Sequence, residues 1–297
     1  ESRGLGDVYK RQIYGGVIGL LLLTFAIGAA SHGSQRWISI GPFSLQPSEL
    51  AKIGIILFLA AYISSKSREM RQWKKMVIPF LFAIPIIVIV GIENLSTCII
   101  LLAISFIMIF VATPLLVPFA VIGLIGVAGA GGLLLTQGYR MERITVWLDP
   151  AASEKGHQTI QGLYAIGSGG LFGKGLGQSM QKLGFLPEAN NDMIFSVICE
   201  ELGLFGALCV LALFFALIWR FMVIAVNAPD LYGSMIVVGV IAHIGIQVFI
   251  NIAVATNTIP NTGIPLPFIS YGGSSLVFML LEMGLVLSVS RYINVKK

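Results

Sequence analysis

Charge is scarce in this chain of 297 residues: only 11% are Asp, Glu, Lys or Arg, while 56% are hydrophobic. A soluble domain carries about a quarter charged residues, and the mean hydropathy here is +0.89. That shortage excludes an ordinary soluble fold and identifies an all-α polytopic membrane protein. The net charge of +5 does not signal nucleic acid, because the basic residues are scattered or gathered in short inter-helix segments. Cysteine is also rare. Cys98, Cys199 and Cys209 all fall in apolar stretches without CxxC or metal-ligand spacing, which leaves them as packing residues. His32, His157 and His243 show no ligand spacing either, so a zinc centre is not expected. No secretory leader is evident. The first twelve residues, ESRGLGDVYKRQ, fit nothing that follows and are set aside as a non-native leader.

What the chain has in quantity is long apolar runs. A membrane-spanning helix needs about 20 mostly apolar residues, and by that measure eight spans are expected, near 13–31, 48–64, 76–92, 96–113, 115–136, 193–221, 231–256 and 272–291. The segment 64–75 carries Lys66, Arg68, Arg71, Lys74 and Lys75 against Glu69 alone, so it should be cytoplasmic. Alternating from there puts the basic tail RYINVKK on the same side, although that tail was not used to set the frame. Segments 32–47, 137–192 and 257–271 then lie outside. The expected organisation is the leader at 1–12, five spans over 13–136, a large extracytoplasmic loop at 137–192, and three spans with a cytoplasmic tail at 193–297. A loop of that length in a compact protein is functional or disordered. This one contains apolar pieces such as TIQGLYAIGSGGLF and is expected to fold back on the membrane surface.

Several polar groups sit where water meets hydrocarbon. The loop end QKLGFLPEANND (181–192) brings Glu188 and Asp192 to the start of an apolar run. If a helix begins near Pro187 the two share one face, and either of two readings applies. They are helix-start residues, with Pro in the first turn and acids at the positive end of the dipole, or they are a functional pair at the membrane edge. Glu200 and Glu201 follow inside the same span and call for a cation, a helix terminus or a water-filled cavity. Glu49 and Lys52 are spaced i, i+3, which suits a local ion pair or a shared polar cavity. His243, Gln247 and Asn251 recur at i, i+4, i+8 as an inward polar stripe, for which interhelical hydrogen bonding is sufficient. Glu282, near the middle of the last span, is an inward contact or a partner-facing residue. The piece GSGGLFGKGLG (167–177) fails as a phosphate-binding P-loop, since Gly175 follows Lys174 and Ser168 stands in place of the first Gly. It reads as a tight turn, with a weaker alternative in which Lys174 approaches a pyrophosphate. In 257–271, Pro260, Pro265 and Pro267 rule out a regular spanning helix and suggest the lining of a cavity.

Four blocks in order, HGSQRWISIGPFSLQPSELAK (32–52), YRMERITVWLDP (139–150), GLGQSMQKLGFLPEANNDMIFSVICEELGLFG (175–206) and IPNTGIPLPFISYGGSS (259–275), resemble the signature blocks of the shape, elongation, division and sporulation (SEDS) family. The likeness covers about 13–292 and is strongest to the cell-division branch. That family has ten spans, with the large outer loop after the seventh. Eight spans with the loop after the fifth therefore imply a chain lacking the first two.

The resemblance implies a peptidoglycan glycosyltransferase of the bacterial cytoplasmic membrane that polymerises lipid II at the division septum. Transfer would be inverting, with undecaprenyl pyrophosphate leaving. Implied partners are lipid II, the growing glycan strand, a class B penicillin-binding transpeptidase and other division proteins. No cofactor is implied, although a divalent cation such as Mg²⁺ could share the pyrophosphate charge. The family's essential aspartate falls on Asp192, the candidate general base. Lys182, Glu188, Arg36, Glu49, Lys52, Ser270 and Tyr271 match other signature positions and are candidate substrate-binding residues. The chain departs from the family at Asn190-Asn191, Met193, Glu93–Thr97 and Thr262. A lipid II flippase and a non-catalytic scaffold are the rival functions.

Overall fold

The computed structural model describes residues 12, 15–16, 18–19, 29–31, 34–40, 43–113, 123, 138–153 and 156–293. These residues divide between two compact units, one drawn from 1–119, 218–244 and 273–297, the other from 120–217 and 245–272.

In the first unit, β1 (Ala29–Ser31), β2 (Ser34–Ile40) and β3 (Phe43–Leu45) form a three-stranded antiparallel sheet. Trp37 faces Ala29, and Ile38 and Ile40 are in register with Leu45 and Phe43. This corrects the first expected span, whose end at 29–31 is strand. Short apolar runs do not by themselves distinguish strand from helix, and here the β2 ladder takes the backbone hydrogen bonds. The rest of that span, the 115–136 span and the 1–12 leader lie almost wholly outside the described residues.

Helix α1 (Pro47–Ser65) starts with Pro at N1 after an extended Gln46, where the missing N–H costs nothing. It is largely buried, including Lys52 and Glu49. Helix α2 (Trp73–Glu93) carries Pro79 and Pro85 within it. Helix α3 (Leu95–Ala112) is capped by Asn94, whose side chain accepts the Thr97 N–H at 3.2 Å. The departure from the family pattern at Glu93–Thr97 thus supplies an ordinary N-cap. Ile55, Ile56, Leu59, Leu101, Ile104 and Met108 are fully buried, while Leu81, Val88 and Ile92 present an apolar outer face.

The long segment 137–192 contains α4 (Gly138–Leu148) and α5 (His157–Ser168). After it come α6 (Ile194–Val226), α7 (Leu231–Ala255) and α8 (Gly273–Arg291). Among the described residues six helices are long and apolar enough to cross a membrane, over 47–65, 75–92, 95–112, 194–226, 231–255 and 273–291. They match six of the eight expected spans to within a few residues at nearly every end. The chain is a multi-pass, helical membrane protein with one small sheet. Within the first unit the last span turns Glu282 inward: Nδ1 of His243 on α7 lies 2.9 Å from its carboxylate, and both side chains are buried.

Candidate functional site in the second unit

Helix α6 is broken. Gly203 has φ 68° and ψ −167°, a conformation that glycine alone adopts without strain. The Gly-rich segment after α5 closes the break. Lys174 and Gly175 N–H groups donate to the carbonyls of Glu200 and Glu201 at 2.9 Å each, and Leu204 and Phe205 N–H groups donate to the carbonyls of Gly170 and Leu171 at 2.9 and 3.0 Å. Carbonyls freed at the end of the first half-helix and N–H groups freed at the start of the second are thereby satisfied, as irregular backbone within an apolar span requires. The approach is so close that a Cβ on Gly173 would stand 2.1 Å from the Glu201 carbonyl oxygen.

The two intramembrane acids fasten the same segment. Glu200, fully buried, accepts from Lys174 Nζ at 2.7 Å, Ser179 Oγ at 2.5 Å and the Met180 and Gln181 N–H groups at 3.3 Å. Glu201 accepts from Lys182 Nζ at 2.5 Å and the Gly177 N–H at 3.0 Å. The expectation of a cation is met twice. Lys174, considered for pyrophosphate, and Lys182, a candidate substrate-binding residue, are both held by these carboxylates.

The chain then enters the turn that carries Asp192. No helix begins at Pro187: Glu188 has φ 54°, and α6 starts only at Ile194. The shared helix face expected for Glu188 and Asp192 does not exist, because a left-handed residue breaks helical periodicity at its first step. Glu188 is exposed and takes a hydrogen bond from Asn191 Nδ2. Asp192 is 8% exposed. Its own carbonyl accepts from Asn251 Nδ2 at 2.8 Å, which also reaches the Ile264 carbonyl at 2.8 Å. Ser270 Oγ donates to the Asn191 carbonyl at 2.6 Å while accepting the Leu266 N–H at 2.7 Å, and the Tyr271 N–H donates to the Asn190 carbonyl at 2.8 Å. Gln247 Nε2 holds the Pro265 carbonyl at 3.1 Å. The polar stripe on α7 therefore anchors two irregular segments, 187–193 and 264–271, to one helix.

The Asp192 carboxylate itself receives Gln158 Nε2 of α5, at 3.3 and 3.5 Å from its two oxygens. No cation lies within ion-pair distance among the described residues. Burial pushes its pKa up to about 6, with the neighbouring Glu188 charge adding to the rise and the residue's own backbone N–H, Gln158 and Arg143 opposing it. A carboxylate in this state holds or gives up a proton near neutral pH. Gln158 Oε1 accepts from Asn261 Nδ2 at 2.9 Å, and the Asn261 carbonyl accepts from Arg143 at 2.9 Å. Beside this chain of bonds, Glu142, Arg143, Trp147, Gln158, Asn257 and Asn261 line a cavity of about 170 Å³. Gln158, Asn261 and Arg143 were not singled out from sequence. Arg143 and Asn261 each lie inside a quoted signature block, but nothing marks them there.

Of the predicted substrate-binding residues, Glu188, Ser270 and Tyr271 meet at the Asp192 turn, and Lys182 lies in the same unit. Arg36 on β2, Glu49 and Lys52 belong to the first unit. There Lys52 Nζ pairs with Glu49 at 2.8 Å. Among the described residues no group of three His, Cys, Asp or Glu side chains converges in a way that could hold a metal ion.

A family model described as "Cell cycle protein" (FTSW_RODA_SPOVE) matches residues 6–295. The chain is 47% identical over 279 residues to stage V sporulation protein E of Bacillus subtilis, covering 92% of this chain and 76% of that protein. It is 37% identical over 281 residues to a probable peptidoglycan glycosyltransferase FtsW of Geobacter sp. strain M18, covering 93% and 77%. Among solved structures it resembles a chain from work on the coordination of polymerization and crosslinking by a peptidoglycan synthase complex, with a TM-score of 0.79 and 28% identity over 99% of this chain and 83% of that one. The rod shape determining protein RodA of Thermus thermophilus gives a TM-score of 0.70 with 29% identity over 99% and 81%.

Proposed function

Because the chain belongs to the FtsW/RodA/SpoVE family of cell-cycle proteins, we propose that it is a peptidoglycan glycosyltransferase that polymerises lipid II. The observation that carries the reading is Asp192: a carboxylate at the mouth of a membrane span, buried, free of any ion pair among the described residues, and raised to a pKa of about 6. That is what a general base needs if it is to take the proton from an acceptor sugar hydroxyl near neutral pH. The acceptor oxygen then attacks the anomeric carbon of the donor from the face opposite undecaprenyl pyrophosphate, so configuration inverts as the carbon–oxygen bond to the pyrophosphate breaks.

The remaining parts follow from that step. Lys182 is a candidate for the leaving charge if it exchanges Glu201, now at 2.5 Å, for phosphate. Arg36, Glu49 and Lys52 are proposed as substrate-binding residues on the family resemblance. A divalent cation, where used, would take most of its ligands from pyrophosphate and water, in keeping with the usual habit of Mg²⁺. A transpeptidase of the class B penicillin-binding type is the proposed partner, supported by the likeness to a chain of a synthase complex. Action at the division septum is proposed on the family resemblance alone.

The test is polymerisation of lipid II by the purified protein in detergent, where there is no bilayer to flip across. Glycan strands from the wild type and none from Asp192→Asn are expected. Equal strand formation by the two proteins would reject Asp192 as the base. Transport in vesicles without polymer in detergent would favour a flippase.

A further inference from the structure

The 170 Å³ cavity bounded by α4, α5 and residues 257–261 belongs to none of the roles above. Its lining is chemically mixed in an informative way. It holds one cation, Arg143, and one anion, Glu142, so its own charges cancel, and Asp192 and Glu188 stand nearby. A dianionic pyrophosphate gains little there. Three carboxamides line it, Gln158, Asn257 and Asn261, each able to donate and to accept, together with the Thr159 hydroxyl. One aromatic plate, Trp147, is held by its indole N–H donating to the Asn257 carbonyl at 3.0 Å. Amides beside an aromatic face suit a neutral ring bearing hydroxyl and acetamido groups. The volume lies below the roughly 300–1,000 Å³ of pockets that swallow drug-sized ligands, which limits the occupant to about one ring.

We infer that this cavity is a subsite for a single N-acetylated sugar ring of the substrate, and that Gln158 is a positioning residue which couples the filling of the subsite to the Asp192 carboxylate. The coupling is geometric. The Gln158 amide spans the gap, with Oε1 on Asn261 at 2.9 Å and Nε2 on Asp192 at 3.3 Å. A sugar acetamido or hydroxyl group that engages Asn261 pulls on the same amide that orients the carboxylate. The sugar that enters is thereby set next to the base. The inference rests on the proposed glycosyl transfer for its meaning, but the existence of the subsite does not.

The experiment has two arms. In the first, free N-acetylglucosamine is added to the full-length protein in detergent and saturation transfer to its acetamido methyl is read by NMR. Transfer is expected from the wild type and from Asp192→Asn, loss from Trp147→Ala, and recovery in Trp147→Phe, which restores an aromatic face. Equal transfer from all four proteins, none from the wild type, or displacement by inorganic pyrophosphate at equal concentration would overturn the subsite. In the second arm, Gln158→Met and Asn257→Ala are compared in lipid II polymerisation across pH. Asn257→Ala should raise KM about tenfold with the acid limb unmoved, about 1.4 kcal/mol of lost binding. Gln158→Met removes the side-chain donor that opposes the rise at Asp192 and leaves the residue's own backbone N–H, Glu188 and Arg143 as the groups acting on it, so its acid limb should move to higher pH. An unmoved limb with a lower kcat alone would reduce Gln158 to a structural role. Sugar binding in a protein that makes no polymer would fail the proposed function and leave the subsite standing.

Discussion

Two sets of carboxylates lie along one stretch of chain, 188–201, and the protein treats them in opposite ways. Glu200 and Glu201 are each given a lysine and a ring of N–H and O–H donors. Asp192, almost as buried as Glu200, is given one neutral side-chain amide, its own backbone N–H, a neighbouring like charge and only the more distant charge of Arg143. Taking a carboxylate out of water is expensive unless charge and hydrogen bonds are returned to it. At Glu200 they are returned almost in full, so the group is a fastener. At Asp192 they are withheld, and the unrecovered cost appears as a proton affinity near neutrality. A buried acid by itself is ambiguous; the completeness of its donors separates the fastener from the reagent.

The comparison breaks most visibly at Asp192. Replacement by Asn should lower lipid II polymerisation by about 10²–10⁴-fold, the range for loss of a general base. In the wild type the rate should fall as pH drops through about 6, because the protonated carboxyl cannot accept a proton. A flat profile from pH 5 to 8 would remove the base from Asp192.

Stability should move the other way. The folded state raises the Asp192 pKa from 3.8 to about 6, so it favours the protonated form. That contribution is complete below the unfolded value and is lost as pH rises through the folded one. Asp192→Asn should therefore unfold later than the wild type at pH 7.5, by about 3 kcal/mol at most, and show no such advantage at pH 4. Thermal unfolding in detergent at the two pH values checks it, and a destabilised variant at pH 7.5 contradicts it.

The fasteners come next. Glu200→Gln keeps the shape but leaves Lys174 facing a neutral group and takes away one acceptor from the donors around it. Because Lys174 is 35% exposed and regains water, the expected loss is about 2–3 kcal/mol rather than the full cost of breaking a buried pair. Glu201→Gln should cost less, about 1 kcal/mol or under, since Lys182 and Glu201 are both in contact with solvent. Proteolysis of the 169–186 segment reads both, and the order Glu200 above Glu201 is the point at issue.

Much of this was legible in the sequence. Length and hydropathy located six spans nearly to the residue. The i, i+4, i+8 spacing of His243, Gln247 and Asn251 located an inward stripe, and the family resemblance selected Asp192. Four features were not legible, each for a physical reason. The break at Gly203 sits in an unbroken apolar run, where one glycine reads as a tolerated helix residue; its partner loop lies in the segment before α6. The strands at 29–45 owe their form to pairing between neighbours, which hydropathy does not report. The amide bridge from Asn261 through Gln158 to Asp192 joins residues far apart in sequence, and each looks like an ordinary polar residue on its own. The helix expected at Pro187 failed because Glu188 adopts a left-handed backbone, which composition does not announce.

The break in α6 also has a signature in hydrogen exchange. The Leu204 and Phe205 amides lie in an apolar helix, yet their acceptors are carbonyls of Gly170 and Leu171, while the Lys174 and Gly175 amides depend in turn on carbonyls of α6. All four bonds open only when the loop and the helix part. Their protons should exchange together, as one cooperative unit, with a single opening free energy shared across a covalent gap of some thirty residues. The amides deeper in α6, bonded within their own turn, should exchange on a separate and slower clock.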